Sequence, residues 1–265
     1  MDRTYWHRQT PDKPLFPELV WSRPENKRTA GKLLIIGGSA HGFAAPAEAY
    51  QEAGTAGIGS IRVVLPAPLK STAGLLIDTV DYAPATPSGS FAKSSLSVML
   101  DSAAWADGIL VAGDLGRNSE TAVVLESLLD ESSLPTVVTK DAIEYITSEP
   151  EPILKHQNVV LVLSLSQLQR LFSATKQTTA ISLSMDLLHL VDILHDFTKQ
   201  FPIGVITRHL DQTFVAIGGR VSTTPSKDDK EDLWRVKTAA HASVWLIQNP
   251  AKPFEALTAS IPTIV

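Results

Sequence analysis

Acidic residues beside glycine-bounded turns are the groups of this chain best equipped for chemistry. GDLGRNSETA (residues 113–122) follows the apolar run GILV (108–111) and leads into a helical pattern. A turn of that kind, between a strand and a helix, exposes backbone N–H groups to which a phosphate binds. Here the turn holds Asp114, followed by Arg117 and Asn118. The carboxylate can contact a ligand, for example a ribose hydroxyl, or it can pair with the arginine and pin the loop. Catalysis by Asp114 is the lesser reading. Asn118 is the expected N-cap of a helix that turns Thr121, Val124, Leu125, Leu128 and Leu129 inward.

The glycines are unevenly spread. None falls between Arg117 and Ile203, and none follows Gly219. Whatever the protein grips through backbone N–H groups is therefore expected at Gly37-Gly38-Ser39, Gly57-Ile58-Gly59 and Gly113 to Gly116. These turns are placed at or next to the carboxyl ends of strands, where open α/β sheets bind ligands. With His41, Asp114, Arg117 and Asn118 they make up the predicted ligand-binding set. TPSGSF (86–91) reads as a surface turn in preference to a lid. Asp186, His189, Asp192, His195 and Asp196 recur at helical spacing, but Leu183, Leu187, Leu190, Val191, Leu194 and Phe197 mark the opposite, inward face. The acids and histidines are thus expected on the wet side, and no metal site is predicted.

Composition sets the outer bounds. The 265 residues are 44% hydrophobic and 19% charged, enough for a buried core and inconsistent with wholesale disorder. A net charge of -5 gives no reason to expect nucleic-acid or membrane-surface binding. With no cysteine there is no disulfide, thiolate metal site or cysteine nucleophile. The opening MDRTYWHRQTPDKPLFPELVW lacks the apolar core of a signal peptide, and a soluble, cytoplasmic protein is expected.

Residues 1–28, with four prolines, read as an extended arm whose Leu15, Phe16, Leu19, Val20 and Trp21 pack on their own domain or on a neighbouring subunit. From residue 29 to 265 the texture is that of one α/β domain. KLLIIGG, SIRVVLP, GILVAG, PTVVT and NVVLVL are short strands, apolar throughout, with helical stretches between them. Such strands make a mostly parallel sheet covered on both faces. FPIGVITRH and TFVAIGGRVST read as two adjacent strands, residues 230–248 as a long helix, and a last helix begins near Pro253.

The order of these motifs resembles that of the ADP- or ATP-dependent NAD(P)H-hydrate dehydratases of the ribokinase-like superfamily. KLLIIGGS, GFAAP and AGIGSIRVVLP are similar to the family's opening, LVAGDLGRNSET to its G-P-G-L-G loop, VVTKDAI to D-A-D-A-L, VLVLSLSQLQRLF to L-T-P-H-P-G-E, and QNPAKPFEAL to its closing segment. The resemblance spans roughly residues 30 to 260 and implies a three-layer α/β/α fold, ATP or ADP with magnesium, and a homo-oligomer. Family members phosphorylate the hydrate hydroxyl of damaged nicotinamide cofactor and then eliminate phosphate.

Departures from the family pattern fall on its functional motifs. Its G-S-G-D anion hole corresponds to STTPSKDDKEDLWRV (222–236), which has no glycine. Asp228, Asp229, Glu231 and Asp232 stand there instead, suited to capping a helix or, in the rival use, to holding magnesium. Asp232 is the nearest candidate base, with Asp114 the other. In place of P-H-P-G-E stand Leu163, Ser164, Leu165, Ser166 and Gln167, and only Asp141 remains of D-A-D-A-L. Three readings follow. The first is a divergent dehydratase-like protein that binds a nucleotide or dinucleotide-like molecule without the usual phosphoryl-transfer motif. The others are an active dehydratase or small-molecule kinase with a rearranged site, and a non-catalytic structural or assembly protein.

Overall fold

The computed structural model describes residues 3–74, 77–226 and 233–263. Its strands are β1 (Trp6–Arg8), β2 (Lys32–Gly37), β3 (Ser60–Pro66), β4 (Val80–Ala83), β5 (Gly108–Gly113), β6 (Thr136–Thr139), β7 (Val159–Val162), β8 (Gly204–His209), β9 (Gln212–Ile217) and β10 (Arg220–Pro225). They form a single sheet in the order β1-β10-β9-β8-β7-β6-β5-β2-β3-β4. Pairing is parallel from β4 through β8, antiparallel across β8, β9 and β10, and parallel again between β10 and β1.

Helices cover both faces: α1 (Pro17–Trp21), α2 (Ala44–Thr55), α3 (Lys70–Ala73), α4 (Ser95–Ala103), α5 (Ser119–Glu131), α6 (Ala142–Ser148), α7 (Pro150–Ile153), α8 (Leu165–Ala174), α9 (Leu187–Gln200), α10 (Leu233–Gln248) and α11 (Pro253–Ala259). Because strand side chains alternate, each strand supplies two cores. Leu33 and Ile35 face the side on which Ala45, Ala49 and Ala53 of α2 meet Ala239, Ala240 and Val244 of α10. Leu34 and Ile36 face the side built by Leu125 and Leu128 of α5, Leu168 of α8 and Leu194 of α9. A strand buried on both faces has no polar side to show, hence the unbroken apolar runs. The result is the expected three-layer α/β/α architecture.

Two segments differ from the sequence expectation. TFVAIGGRVST is a hairpin and not one strand: Gly218 and Gly219, both at positive φ, turn β9 into β10. The preceding connection, Leu210-Asp211, has φ of 47° and 55°, so it too is a two-residue turn that needs left-handed backbone at both positions. Leucine is poorly suited to that conformation and its side chain is exposed. Leu210→Asn is expected to stabilise the protein by about 1 kcal/mol, read as a raised urea midpoint at unchanged m-value. A lowered midpoint would show that the leucine side chain contributes more than its backbone costs.

The second is the N-terminal segment, which supplies the edge strand β1 to its own sheet. Arg3 and Tyr5 clasp α9: the guanidinium donates to both Asp192 oxygens at 2.7 and 2.8 Å, and the Tyr5 hydroxyl donates at 2.6 Å. Tyr5 also stacks on His195 at 3.7 Å. Asp192 and His195, expected merely to face water, therefore anchor the arm. Leu183, expected inward, lies outside α9 and is exposed. Hydrogen bonding from Arg3 holds the Asp192 carboxyl down at about 2, against an ordinary 3.8. A carboxylate depressed on folding contributes stability above its unfolded value and loses it as pH falls through its folded value. Release of β1, followed by hydrogen exchange at residues 6–8, is accordingly expected as pH drops below about 3.8 toward 2. Asp192→Asn should loosen β1 already at neutral pH and remove the acid dependence, and an unchanged profile would remove Asp192 as its cause.

Candidate functional site

Three turns converge at the carboxyl ends of β2, β5 and β6. Gly38 N–H donates to Gly113 O at 2.9 Å. The strands approach so closely that a Cβ on Gly37 would lie 2.6 Å from that same oxygen. Beyond β2, Ser39 and Gly42 exchange backbone hydrogen bonds at 2.9 and 3.0 Å, placing His41 in an exposed turn. Ala40 N–H donates to Gly89 O at 2.9 Å, which ties this turn to TPSGSF. That segment is no plain surface turn: Thr86 and Ser90 are buried, Ser88 Oγ accepts from Asn118 Nδ2 at 3.1 Å, and Gly116 leaves only 2.9 Å between its would-be Cβ and Ser90 Oγ. Asn118 caps α5 as the sequence suggests, accepting from Glu120 N–H at 2.8 Å.

Asp114 sits at the centre. Its φ is 58°, a left-handed conformation that aspartate tolerates better than most residues. One carboxylate oxygen accepts from Ala45 N–H in the first turn of α2 at 2.7 Å, and the other is 3.4 Å from Lys140 Nζ. Phe43, which starts α2, offers no capping side chain, so Asp114 caps this helix from a neighbouring strand. The expected partner Arg117 is exposed and takes no part. The cation on Asp114 is Lys140, itself left-handed at φ 53°.

Asp141 lies beside them. Its Oδ2 accepts from Leu115 N–H at 2.9 Å, while Oδ1 is buried with no hydrogen-bond partner among the described residues. Burial pushes this carboxyl up from the ordinary range, against the lowering effect of the backbone N–H groups around it. Burial likewise raises Glu48 of α2. At the end of β7, Ser164 and Gln167 form a capping box for α8. The Gln167 amide also reaches across to Lys140 O at 2.8 Å and Glu144 Oε1 at 3.1 Å, and its Oε1 accepts from Arg235 at 3.0 Å. Lys140, Gln167 and Arg235 were absent from the predicted set. Parallel neighbours β5, β6 and β7 bring their carboxyl-end residues together from distant parts of the chain.

The structure does not bring the whole predicted set together. Gly57 and Gly59 precede β3 and so lie at its amino end, beside Gly31, across the sheet from the cleft. They are close-packing positions: Gly59 would press a Cβ to 2.0 Å from Lys27 O. Asp232 lies outside the described residues, as do Asp228, Asp229 and Glu231. Among the described residues no group of three or more histidines and acids could hold a metal ion, and no helix is long and apolar enough to cross a membrane.

No protein-family model and no curated protein sequence matches the chain. Solved structures do. A ribokinase-like superfamily protein from Enterococcus faecalis superposes with a TM-score of 0.72 at 14% identity, over 98% of this chain and 87% of that one. A hypothetical protein from Streptococcus mutans gives 0.68 at 15% identity, over 92% and 84%. The ADP/ATP-dependent NAD(P)H-hydrate dehydratase of Bacillus subtilis, co-crystallised with ATP and magnesium, gives 0.61 at 12% identity, over 89% and 79%. The last carries the name of the family whose motif order the sequence resembles. At such identities the likeness is one of fold, and the fold of this chain is ribokinase-like.

Proposed function

We propose that the protein binds a nucleotide or dinucleotide-like small molecule in the cleft between the turns after β2, β5 and β6, without the phosphoryl-transfer step of the dehydratases. The observation that carries this reading is the engagement of Asp114. Its carboxylate occupies the N–H of Ala45 at the positive end of α2 and is paired with Lys140. An anion seat at the carboxyl end of the sheet is thus filled by the chain's own carboxylate. The exposed hydroxyl of Ser88 at the rim suits a ribose or phosphate oxygen, with Ser39, Thr86 and Ser90 buried behind it. Magnesium would enter with the nucleotide, since the described residues offer no cage for it and the ion is commonly held by one or two carboxylates plus phosphates.

A panel of ATP, ADP, NAD and NADH, each with and without magnesium, tests the reading by thermal shift. A ligand at a hundredfold excess over its Kd stabilises the folded state by about 2.7 kcal/mol. A rise in melting temperature with at least one, and no turnover of NADH hydrate, is expected. No shift with any of them would overturn the reading in favour of a structural or assembly role. In that role, as in the homo-oligomer implied by the resemblance, the exposed Val20 and Trp21 are the apolar surface to examine.

One observation favours the rival, active reading. Asp141 combines burial, a raised carboxyl and an Oδ1 without a partner among the described residues, close to the cleft, which is the environment of a general acid or base. If NADH hydrate or a small-molecule alcohol is turned over, Asp141→Asn should abolish it. Survival of the rate in that variant would eliminate Asp141.

A further inference from the structure

Next to the cleft a cavity of about 1090 Å³ runs between α5, α6 and α7 down to the sheet. Its size is at the upper end of small-molecule sites. The floor is Val111 and Val138, register partners on β5 and β6, and the walls include Leu125, Leu129, Ile146 and Ile153. All six are aliphatic. Three polar side chains on the walls are already committed within the protein, and toward the cleft the lining takes in Lys140, Asp141, Gln167 and Arg235. Tyr145 hydroxyl donates to Gly116 O and accepts from Asn118 N–H, Asn118 Nδ2 donates to Ser88, and Glu144 accepts from Arg170 and Gln167. A nucleobase needs donors and acceptors along its edge, which the aliphatic floor and inner walls do not offer. An aliphatic chain needs none. At the lip stands Arg117, exposed and making no hydrogen bond or ion pair among the described residues.

We infer that this cavity takes the hydrocarbon chain of an amphipathic anion, a fatty-acyl carboxylate or an alkyl phosphate, with the charged head beside Arg117. The walls supply affinity in proportion to the chain length buried, and the arginine sets the polarity of entry. The cavity adjoins the nucleotide cleft and shares Lys140 and Asp141 with it, but its ligand is a different one, because nucleotides carry no such chain. Either can fail while the other holds.

Direct titration of the full chain with octanoate, decanoate and dodecanoate at monomeric concentrations tests it. Affinity should rise about fourfold per added methylene. Arg117→Glu, an exposed loop substitution that leaves the core untouched, should weaken decanoate about fivefold and leave decanol unchanged. Ala122→Trp, which fills the cavity from α5, should abolish binding of both, with its melting curve showing that it folds. Decyl phosphate compared with decanoate identifies the head group that is preferred. Absence of binding by both, an affinity independent of chain length, or equal losses of decanoate and decanol in Arg117→Glu would each overturn the inference.

Discussion

Gly59→Ala is expected to remove more than about 3 kcal/mol of stability, while Gly42→Ala leaves it unchanged or raises it by about 0.5 kcal/mol. A methyl group on Gly59 would stand 2.0 Å from Lys27 O and 2.8 Å from Gly31 O. Both are backbone atoms, so neither can swing aside. Nor can the loop retreat, because the N–H groups of Gly59 and Ser60 both donate to Gly31 O at 3.1 Å, holding the start of β3 against the start of β2. Relief therefore requires moving the 27–31 segment and the strand together. Gly42 is the matched control: it has no heavy atom within 4 Å of its would-be Cβ, and its φ is not positive. Alanine there reduces only the freedom of the unfolded chain. Urea unfolding of both variants decides the matter. A Gly59→Ala loss below about 1 kcal/mol would mean that the close approach at the amino end of β3 is not what the glycine serves.

The same glycine shows what could be read in advance and what could not. Buried parallel strands announce themselves, because burial on two faces enforces runs such as LLII and VVLV. Edge strands do not: VDYA in β4 and WHR in β1 are half-exposed and short, so their composition is that of a loop. β1 in particular is fixed by a partner, β10, from the other end of the chain. Gly57 and Gly59 were assigned to the ligand end from their composition, yet they precede SIRVVLP. In a parallel sheet, residues before a strand lie at its amino end, so chain order already carried the answer. Asn118 was legible because capping is local. Lys140 and Gln167 were not, since nothing in a lysine's neighbours reveals a left-handed φ, and the reach of Gln167 to Lys140 O crosses from β7 to β6. The partner of Asp114 was misjudged for a related reason. Arg117 is near it in sequence, but the turn that reverses the backbone at Asp114 aims the carboxylate toward α2 and β6 instead.

That aim makes the role of Asp114 separable by three substitutions. Alanine removes the cap on α2, about 1 kcal/mol, and places a Cβ-bearing residue with no local hydrogen bond at φ 58°, about 1–2 kcal/mol more. Asp114→Ala should therefore lose about 2–3 kcal/mol. Glycine loses the cap but accepts the left-handed backbone, so Asp114→Gly should lose about half as much. Asparagine keeps both an acceptor for Ala45 N–H and tolerance of the conformation, giving up only the ion pair with Lys140. Both members of that pair are partly exposed, so Asp114→Asn should change stability by about 0.5 kcal/mol or less. The order asparagine, glycine, alanine is the signature of a residue that pins a loop and caps a helix. Three equal losses would leave the ion pair as its whole contribution. The nucleotide panel then completes the assignment. If Asp114 only fills the anion seat, Asp114→Asn retains or strengthens the shift given by ADP, because one negative charge has left the mouth of the cleft. If the asparagine variant keeps its fold and loses the ADP shift, Asp114 instead contacts the ligand, and Lys140, freed of its partner, is not sufficient to hold it.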